Sequence, residues 1–424
     1  MPAQSPASLC WADRSGRGAG AQQTAERGVE LRRTRGYGSQ AADPDLRGQL
    51  IEGDALAAMQ ALAALPRPPR PKLIYMDPPF NTGESFSHYR DRFEVPAWLT
   101  MMWERLAAAA DILAEDGSIW VHCDDRGQAY LRLMLDEIFG RDAFVATVVW
   151  QRRYSRENRR AIGAVHDYIH VFSPLGNRWS EVRNRLDRED PPNHWRNPDD
   201  DPRGPWSTVS LVAQGGHGTP QQSYEIVTPA GRVVTPPLDS CWRVTRERFD
   251  ELLGEGRISF GSGGANVPRR KVFHTEAKGL APWSWWTHPE VGHNEEARRE
   301  QRGLFPGQPA FPTPKPERLL ARIIEIASDE GDLTLDCFLG SGTTAAVSQK
   351  LRRAWIGIEH EPALVKDYVI PRLRAVVDGE QGGISDQAGW SGGGSFDLYR
   401  CLASGQREVV EPLSDDRATM LEVA

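Results

Sequence analysis

The chain has 424 residues, with 51 basic against 58 acidic side chains, a net charge of −7 and 39% hydrophobic residues. That suffices for two or three domains with cores of their own, and it excludes both a disordered chain and a bulk polycation that coats nucleic acid. No apolar run reaches bilayer length, no signal peptide heads the chain, and the five cysteines are too scattered for a disulfide framework; the reading is a cytoplasmic protein with no membrane partner.

Residues 1–46 are rich in Gly, Ala, Gln, Ser and Arg without apolar periodicity, so they are expected to form a flexible leader. Order should begin near Leu50-Ile51. A helix is expected over 54–65 with Asp54 as its N-cap. The apolar run 72–76, bounded by prolines, reads as a buried strand. Helical spacing covers 97–114, and a strand follows at 118–123. A helix over 126–139 leads to strands at 144–150 and 168–172. Strands alternating with helices imply a parallel, doubly wound α/β sheet.

Composition changes at Ser173-Pro174. From 174 to 310 the chain is rich in Pro, Gly, Trp and Arg, with short strand-like pieces at 224–228 and 257–260. This reads as an insertion of mixed, largely irregular structure between a first part of the sheet domain (47–173) and a second (311–377). Alternation resumes with a helix at 317–328, a strand at 333–337, a helix at 342–351, a strand at 354–358 and a helix over 362–376. Residues 378–424 form an acidic, Gly-rich tail with one strand expected at 396–402. The tail carries nine acids and three arginines, so most of the net negative charge belongs to it and the remainder is near neutral.

Within 333–345 a glycine loop, Gly340-x-Gly342, joins a strand to a helix. Glycines let a ligand approach the backbone, and a helix start offers free N–H groups. Glu359 ends the next strand, where a carboxylate can accept both ribose hydroxyls of a nucleoside. The loop also fits Gly-x-Gly-x-x-Ala, so a dinucleotide is a rival ligand. Too little ordered chain follows Glu359 for a second mononucleotide half, which favours a smaller adenosine cofactor.

Asp77-Pro78-Pro79-Phe80 follows the strand at 72–76. Two prolines stiffen the turn and remove two N–H donors. The Pro78 carbonyl and the Asp77 carboxylate can then accept the two N–H groups of an exocyclic amine, while Phe80 stacks on its ring. The amine lone pair is thereby turned toward an electrophilic methyl. Such a transfer calls for no metal.

These motifs resemble the amino-methylating DNA methyltransferases, which move a methyl from S-adenosylmethionine to adenine N6 or cytosine N4. The matching segments are Gly53-Asp54, Asp77-Pro-Pro-Phe80, Thr313-Pro-Lys-Pro316 and Asp336-x-Phe-x-Gly-Ser-Gly342. Their order is similar to the β-type permutation. The likeness to modification subunits of type III restriction systems extends over Leu113–Asp125, Phe139-Gly140, Trp150, His166–Ile169, Cys241–Arg243 and Gly292–Glu296. The resemblance implies a Rossmann-like seven-stranded sheet with target recognition in the insertion. It implies catalysis at Asp77, Pro78, Pro79 and Phe80. Cofactor contacts would come from Asp54, Thr313, Lys315, Asp336, Phe338, Gly340, Gly342, Thr343 and Glu359, with Lys315 packing against the methionine end. Phe80 stands where Tyr is commoner, and Cys337 where Pro is usual.

A base inside a duplex must be flipped out to be reached. Residues 151–160 carry five arginines against one glutamate. Arg152, Arg153, Tyr154, Arg156, Arg159 and Arg160 are therefore the expected contacts to double-stranded DNA, with Arg269–Lys271 a weaker group. His166 shapes the target-base pocket, as the resemblance suggests. His166 and His170 share a strand face, but no third ligand accompanies them and no metal is expected. Trp283–Trp286 are expected to pack inside the insertion.

The leading reading is a site-specific adenine-N6 DNA methyltransferase. Cytosine-N4 transfer uses the same site; Asp at 77 leans toward adenine by family habit. An NAD-dependent oxidoreductase would leave Asp77–Phe80 unexplained. A catalytically dead DNA-binding module is disfavoured by intact Asp77, Phe80 and Gly340, and RNA or protein amide methylation by the absence of Asn at 77. A homodimer and a restriction subunit are the protein partners the resemblance allows.

Overall fold

A computed structural model describes residues 9–11, 29–38, 46–83, 91–155, 161–184, 186, 195–214, 216, 218–276, 279–309 and 311–403. The chain divides into two compact units, one of Met1–Asn184 with Pro282–Ala424 and one of Arg185–Ala281. The second unit is narrower than the 174–310 insertion read from composition.

The first unit is built on one large sheet. Its strands are β1 (Val29–Gly38), β2 (Arg47–Glu52), β3 (Leu73–Met76), β4 (Ser118–Cys123), β5 (Phe144–Gln151), β6 (His166–Phe172), β7 (Trp285–Trp286), β8 (Leu333–Asp336), β9 (Ala354–Glu359) and β10 (Ser395–Ala403). They lie in the order β1-β10-β2-β9-β8-β3-β4-β6-β5-β7. The seven from β2 to β5 run parallel except β6, which is antiparallel to β4 and β5. They form the expected Rossmann-like sheet.

Three strands extend it. β10 adds in parallel to β2, β1 pairs antiparallel with β10, and the two-residue β7 adds to β5. Residues 29–38, read as part of a flexible leader, are thus a sheet edge. Trp285 and Trp286 belong to this unit and not to the insertion. Trp286 is buried there, whereas Trp283 and Trp285 are exposed.

Every residue of β3 and β4 is buried, as strands covered on both faces must be. One face packs against α1 (Ala55–Ala63), α2 (Val95–Ile112) and α3 (Gln128–Phe139), through Leu56, Met59, Leu99, Met102 and Leu131. Further helices follow the insertion, among them α4 (Asn294–Leu304), α5 (Glu317–Ala327) and α6 (Thr343–Lys350). With α7 (Ile370–Val377), α6 forms a second core around Ala345, Ala346, Val369 and Leu373. Each buried Leu, Met or Val of these cores contributes roughly 1.5–3 kcal/mol by leaving water. The helix expected over 362–376 runs through Pro362–Val377, with a π-turn inside it at Val365–Val369, just before Pro371. Proline lacks the N–H for a regular α bond and its ring crowds the preceding turn, which the wider turn relieves.

The second unit carries three small antiparallel sheets and a helix, Arg246–Gly254, capped by the Thr245 hydroxyl. Its core gathers Leu211, Ile226, Trp242, Phe249, Leu252 and Phe260.

Candidate active site

The parallel strands of the first unit end together, and the segments leaving them line one cavity of about 680 Å³. Asp54 follows β2, Asp77–Phe80 follow β3, Asp336 ends β8 and Glu359 ends β9. The crevice beyond the carboxyl ends of such strands is where open α/β sheets bind ligands. Of the candidates from sequence, Asp54, Asp77, Pro78, Pro79, Phe80, Arg152, His166, Thr313, Lys315, Asp336, Phe338, Gly340, Thr343 and Glu359 all line this cavity.

Gly342 does not. It caps α6 at φ 82°, and Gly340 turns the loop at φ 55°, conformations that a Cβ would strain. The loop is pinned by two acids. Asp336 accepts from the Phe338 N–H at 2.9 Å and the Thr344 hydroxyl at 2.6 Å. Burial, with Asp77 and Glu359 nearby, raises the Asp336 carboxyl to about 7. Glu359 accepts from the Gly340 N–H at 2.7 Å and the Glu361 N–H at 3.0 Å; burial pushes its carboxyl up as well. Asp54 caps α1 by accepting from the Ala57 N–H at 3.1 Å, and its other oxygen pairs with Arg105, a cavity residue that sequence reading did not single out.

Around Asp77 the turn is held from outside. The Trp98 indole donates to the Pro79 carbonyl at 2.8 Å. Asn81, at φ 57°, and Thr82 give their N–H groups to the buried Asp91 at 2.7 and 3.0 Å. The Pro78 carbonyl has no donor among the described residues. Lys315 forms an ion pair with Oδ2 of Asp77 and lies 5.6 Å from the centre of the Phe80 ring. Sequence reading had set Lys315 apart from the catalytic turn; here it joins the two segments. A rigid turn whose carbonyl has no donor among the described residues, a carboxylate with one oxygen outside the Lys315 pair and a half-buried ring can hold a planar amine.

Behind Phe80 lies a second layer that the sequence did not disclose. The fully buried His122 stacks on Phe80 at 5.8 Å, meets the Tyr75 hydroxyl at 2.9 Å and packs edge-on against Trp150. Asp167 lies 3.5 Å from His122 and 2.9 Å from Arg152. His166, one residue away, points to the other side of β6 and bonds the Tyr168 hydroxyl at 2.9 Å, which donates to Asp125. His170 is bonded to Thr147 and the Gln128 carbonyl, and burial lowers it to about 4, as suits a neutral packing residue. Arg153 and Tyr154 line a neighbouring cavity; Arg156, Arg159 and Arg160 lie outside the described residues.

A family model described as DNA methylase matches residues 72–369, well over half the chain. The chain belongs to the DNA methylase family. Relatives of this DNA methylase include the type III restriction-modification enzyme StyLTI Mod subunit of Salmonella typhimurium, 31% identical over 64% of this chain and 45% of that protein. The type II methyltransferase M.EcaI of Enterobacter cloacae is 32% identical over 68% of this chain and 61% of its own. The probable HindVI Mod subunit of Haemophilus influenzae is 29% identical over 88% and 57%. The chain thus matches only about half the length of these curated relatives.

Proposed function

We propose that the chain transfers a methyl group from S-adenosylmethionine to the exocyclic N6 of an adenine flipped out of double-stranded DNA. One observation carries the reading: the Asp77 carboxylate, the Pro78 carbonyl and the Phe80 ring share a single cavity with the glycine loop and Glu359. The donor set fits the cofactor. Each oxygen of Glu359 accepts one backbone N–H and keeps lone pairs for ribose hydroxyls. Asp54, Thr313, Lys315, Asp336, Phe338, Gly340 and Thr343 complete the wall, with Gly342 shaping the loop. S-adenosylmethionine, when bound, supplies a methyl activated by its sulfonium.

The chain's own residues do the rest. Asp77 and the Pro78 carbonyl accept the two amine N–H groups, which frees the nitrogen lone pair, and Phe80 fixes the ring plane. The nitrogen sheds a proton on methylation, and Asp77 is the acceptor at hand. Flipping costs a few kcal/mol, offset by contacts to the strand. Arg152, Arg153 and Tyr154, continued by Arg156, Arg159 and Arg160, serve that role, and His166 borders the flipped base. The names of the type III relatives support a restriction subunit as partner, with a homodimer as the natural assembly. The proposed site of action is the cytoplasm; no helix among the described residues is long and apolar enough to cross a membrane.

Labelled S-adenosylmethionine incubated with the protein and mixed-sequence duplex tests the reading after digestion to nucleosides. Label in N6-methyladenine supports it. Label in N4-methylcytosine moves the target to the other amine, and label only in RNA or protein overturns it.

A further inference from the structure

The Gly292–Glu296 motif has no part in the chemistry above. Its Gly292 carbonyl accepts from the Trp150 indole at 3.0 Å, and Glu296 binds Arg318 through both oxygens at 2.8 Å. Those contacts fix the start of α4 beside β5. Between them lies a second cavity, of about 460 Å³, lined by Arg152, Arg153, Tyr154, His293, Asn294 and Arg298. Arg152 and Asn294 line the first cavity too, so the two cavities adjoin.

The lining is basic and aromatic. Glu295 is its carboxylate, and Arg298 and Arg302 divide that group at 3.7 and 3.1 Å. Arg298 is half exposed and also donates to the Pro312 carbonyl at 3.2 Å, so its guanidinium is aimed without being neutralised. The Tyr154 ring packs at a tilt against both His293, at 5.1 Å, and His288, at 5.8 Å, and the two imidazoles stack on each other at 5.5 Å and 14°. Tyr154 is thus backed by the histidine pair, and the residue is 63% exposed. A backed, solvent-facing ring beside a guanidinium is the form of a nucleotide platform: the base stacks and the phosphate pairs.

We propose that the second cavity is the subsite for the nucleotide that directly adjoins the flipped one, with its phosphodiester on Arg298 and its base on Tyr154. The inference rests on the DNA methylation reading. It assigns to the Gly292–Glu296 motif the task of aligning the strand at the mouth of the first cavity.

The test uses an unmethylated substrate duplex in which the phosphodiester on either side of the target nucleotide is replaced, one at a time, by an uncharged methylphosphonate. KM for DNA, the salt dependence of binding and affinity for S-adenosylmethionine are measured for the full chain and for Arg298→Ala, Arg298→Lys and Tyr154→Leu. For the unsubstituted protein, one of the two replacements should raise KM about tenfold, the effect of losing one charged phosphate contact. Arg298→Ala should raise KM similarly on ordinary DNA, show no further loss on that methylphosphonate, and lower the slope of log K against log salt by about 0.9. Arg298→Lys should restore the slope. Tyr154→Leu should raise KM without changing it, and cofactor affinity should hold throughout. Losses from Arg298→Ala and methylphosphonate that simply multiply would overturn the subsite alone. A protein that binds the cofactor yet methylates no DNA would overturn the reading beneath it as well.

Discussion

The two ends of the main cavity are built on opposite plans. At the glycine-loop end every acid is already engaged by the chain: Asp336 by Phe338 and Thr344, Glu359 by Gly340 and Glu361, Asp54 by Ala57 and Arg105. At the Asp77 end Lys315 takes one oxygen of the carboxylate, and the other partners are arranged around the remaining acceptors. Trp98 takes the Pro79 carbonyl and Asp91 takes the next two N–H groups, while the Pro78 carbonyl has no donor among the described residues. The first end is set in place before a ligand arrives, with the remaining lone pairs of Glu359 held for ribose hydroxyls. The second holds unsatisfied acceptors in a rigid turn, so an amine donor gains what the fold left unpaired, with little reorganisation.

If that contrast holds, variants at the two ends should separate catalysis from binding. Asp77→Ala should lower methyl transfer by about a thousandfold or more, as loss of a preorganised charged acceptor does. Its affinity for S-adenosylmethionine, read by calorimetry, should change little. A variant that stays active would end the catalytic assignment. Glu359→Ala should do the reverse. Losing charge-assisted bonds costs roughly 1.5–3 kcal/mol, so cofactor affinity should fall about ten- to a hundredfold. Thermal stability should fall too, since the Gly340 N–H loses its acceptor. A fall in kcat at saturating cofactor, with no change in affinity, would contradict the division between the ends. Phe80 offers a finer comparison. Phe80→Tyr preserves the stacking face and should keep activity within a few-fold, whereas Phe80→Leu should raise KM for DNA about tenfold through lost stacking. Equal losses in both variants would mean that His122 packing, rather than the ring face, is what Phe80 provides.

The two ends also differ in how plainly the sequence spoke of them. The glycine loop and the Asp77 turn are each a continuous stretch of sequence, so motif and spacing pointed to the segments themselves, though not to flanking lining residues such as Tyr75, Asp91 and Phe311. Lys315 on Asp77, Arg105 on Asp54 and the His122–Asp167–Arg152 group join segments far apart in the chain, and no local pattern records such pairings. The fold shows the same division. The central strands are legible because β3 and β4 are apolar on both faces. β1 is not: its segment, Val-Glu-Leu-Arg-Arg-Thr-Arg-Gly-Tyr-Gly, is mostly polar and finds its partner in β10, more than 350 residues later. β7 is only two residues long and depends wholly on the neighbouring β5. The π-turn before Pro371 could have been suspected from the proline alone.

The smallest expected effect lies behind the glycine-loop end and concerns stability rather than rate. Arg372 donates to the Thr343 hydroxyl at 2.8 Å and to Glu317 at 2.9 Å, and Lys350 donates to the other oxygen of Glu317 at 2.7 Å. Burial alone would raise Glu317, but these two cations outweigh it and hold the carboxyl below its usual range. Glu300 accepts from the Glu317 N–H at 3.1 Å. Burial first, and the like charge of Glu317 second, raise its carboxyl to about 8. The unfolded chain releases that proton near the ordinary carboxylate value, about 4.3, so between there and about 8 the folded chain binds more protons than the unfolded one. The stability from this group is full below that window and is lost as pH rises through it. Asp336, raised to about 7, acts in the same direction. Glu300→Gln stays neutral and can still accept from Glu317. Unfolding followed at pH 6 and pH 9 should therefore show a smaller drop for the variant than for the unsubstituted protein. A difference on the order of 1 kcal/mol, or a few degrees in Tm, is the expected scale. Identical drops would mean that Glu300 is charged in the folded chain, and that the glycine-loop end rests on a wetter foundation than its burial indicates.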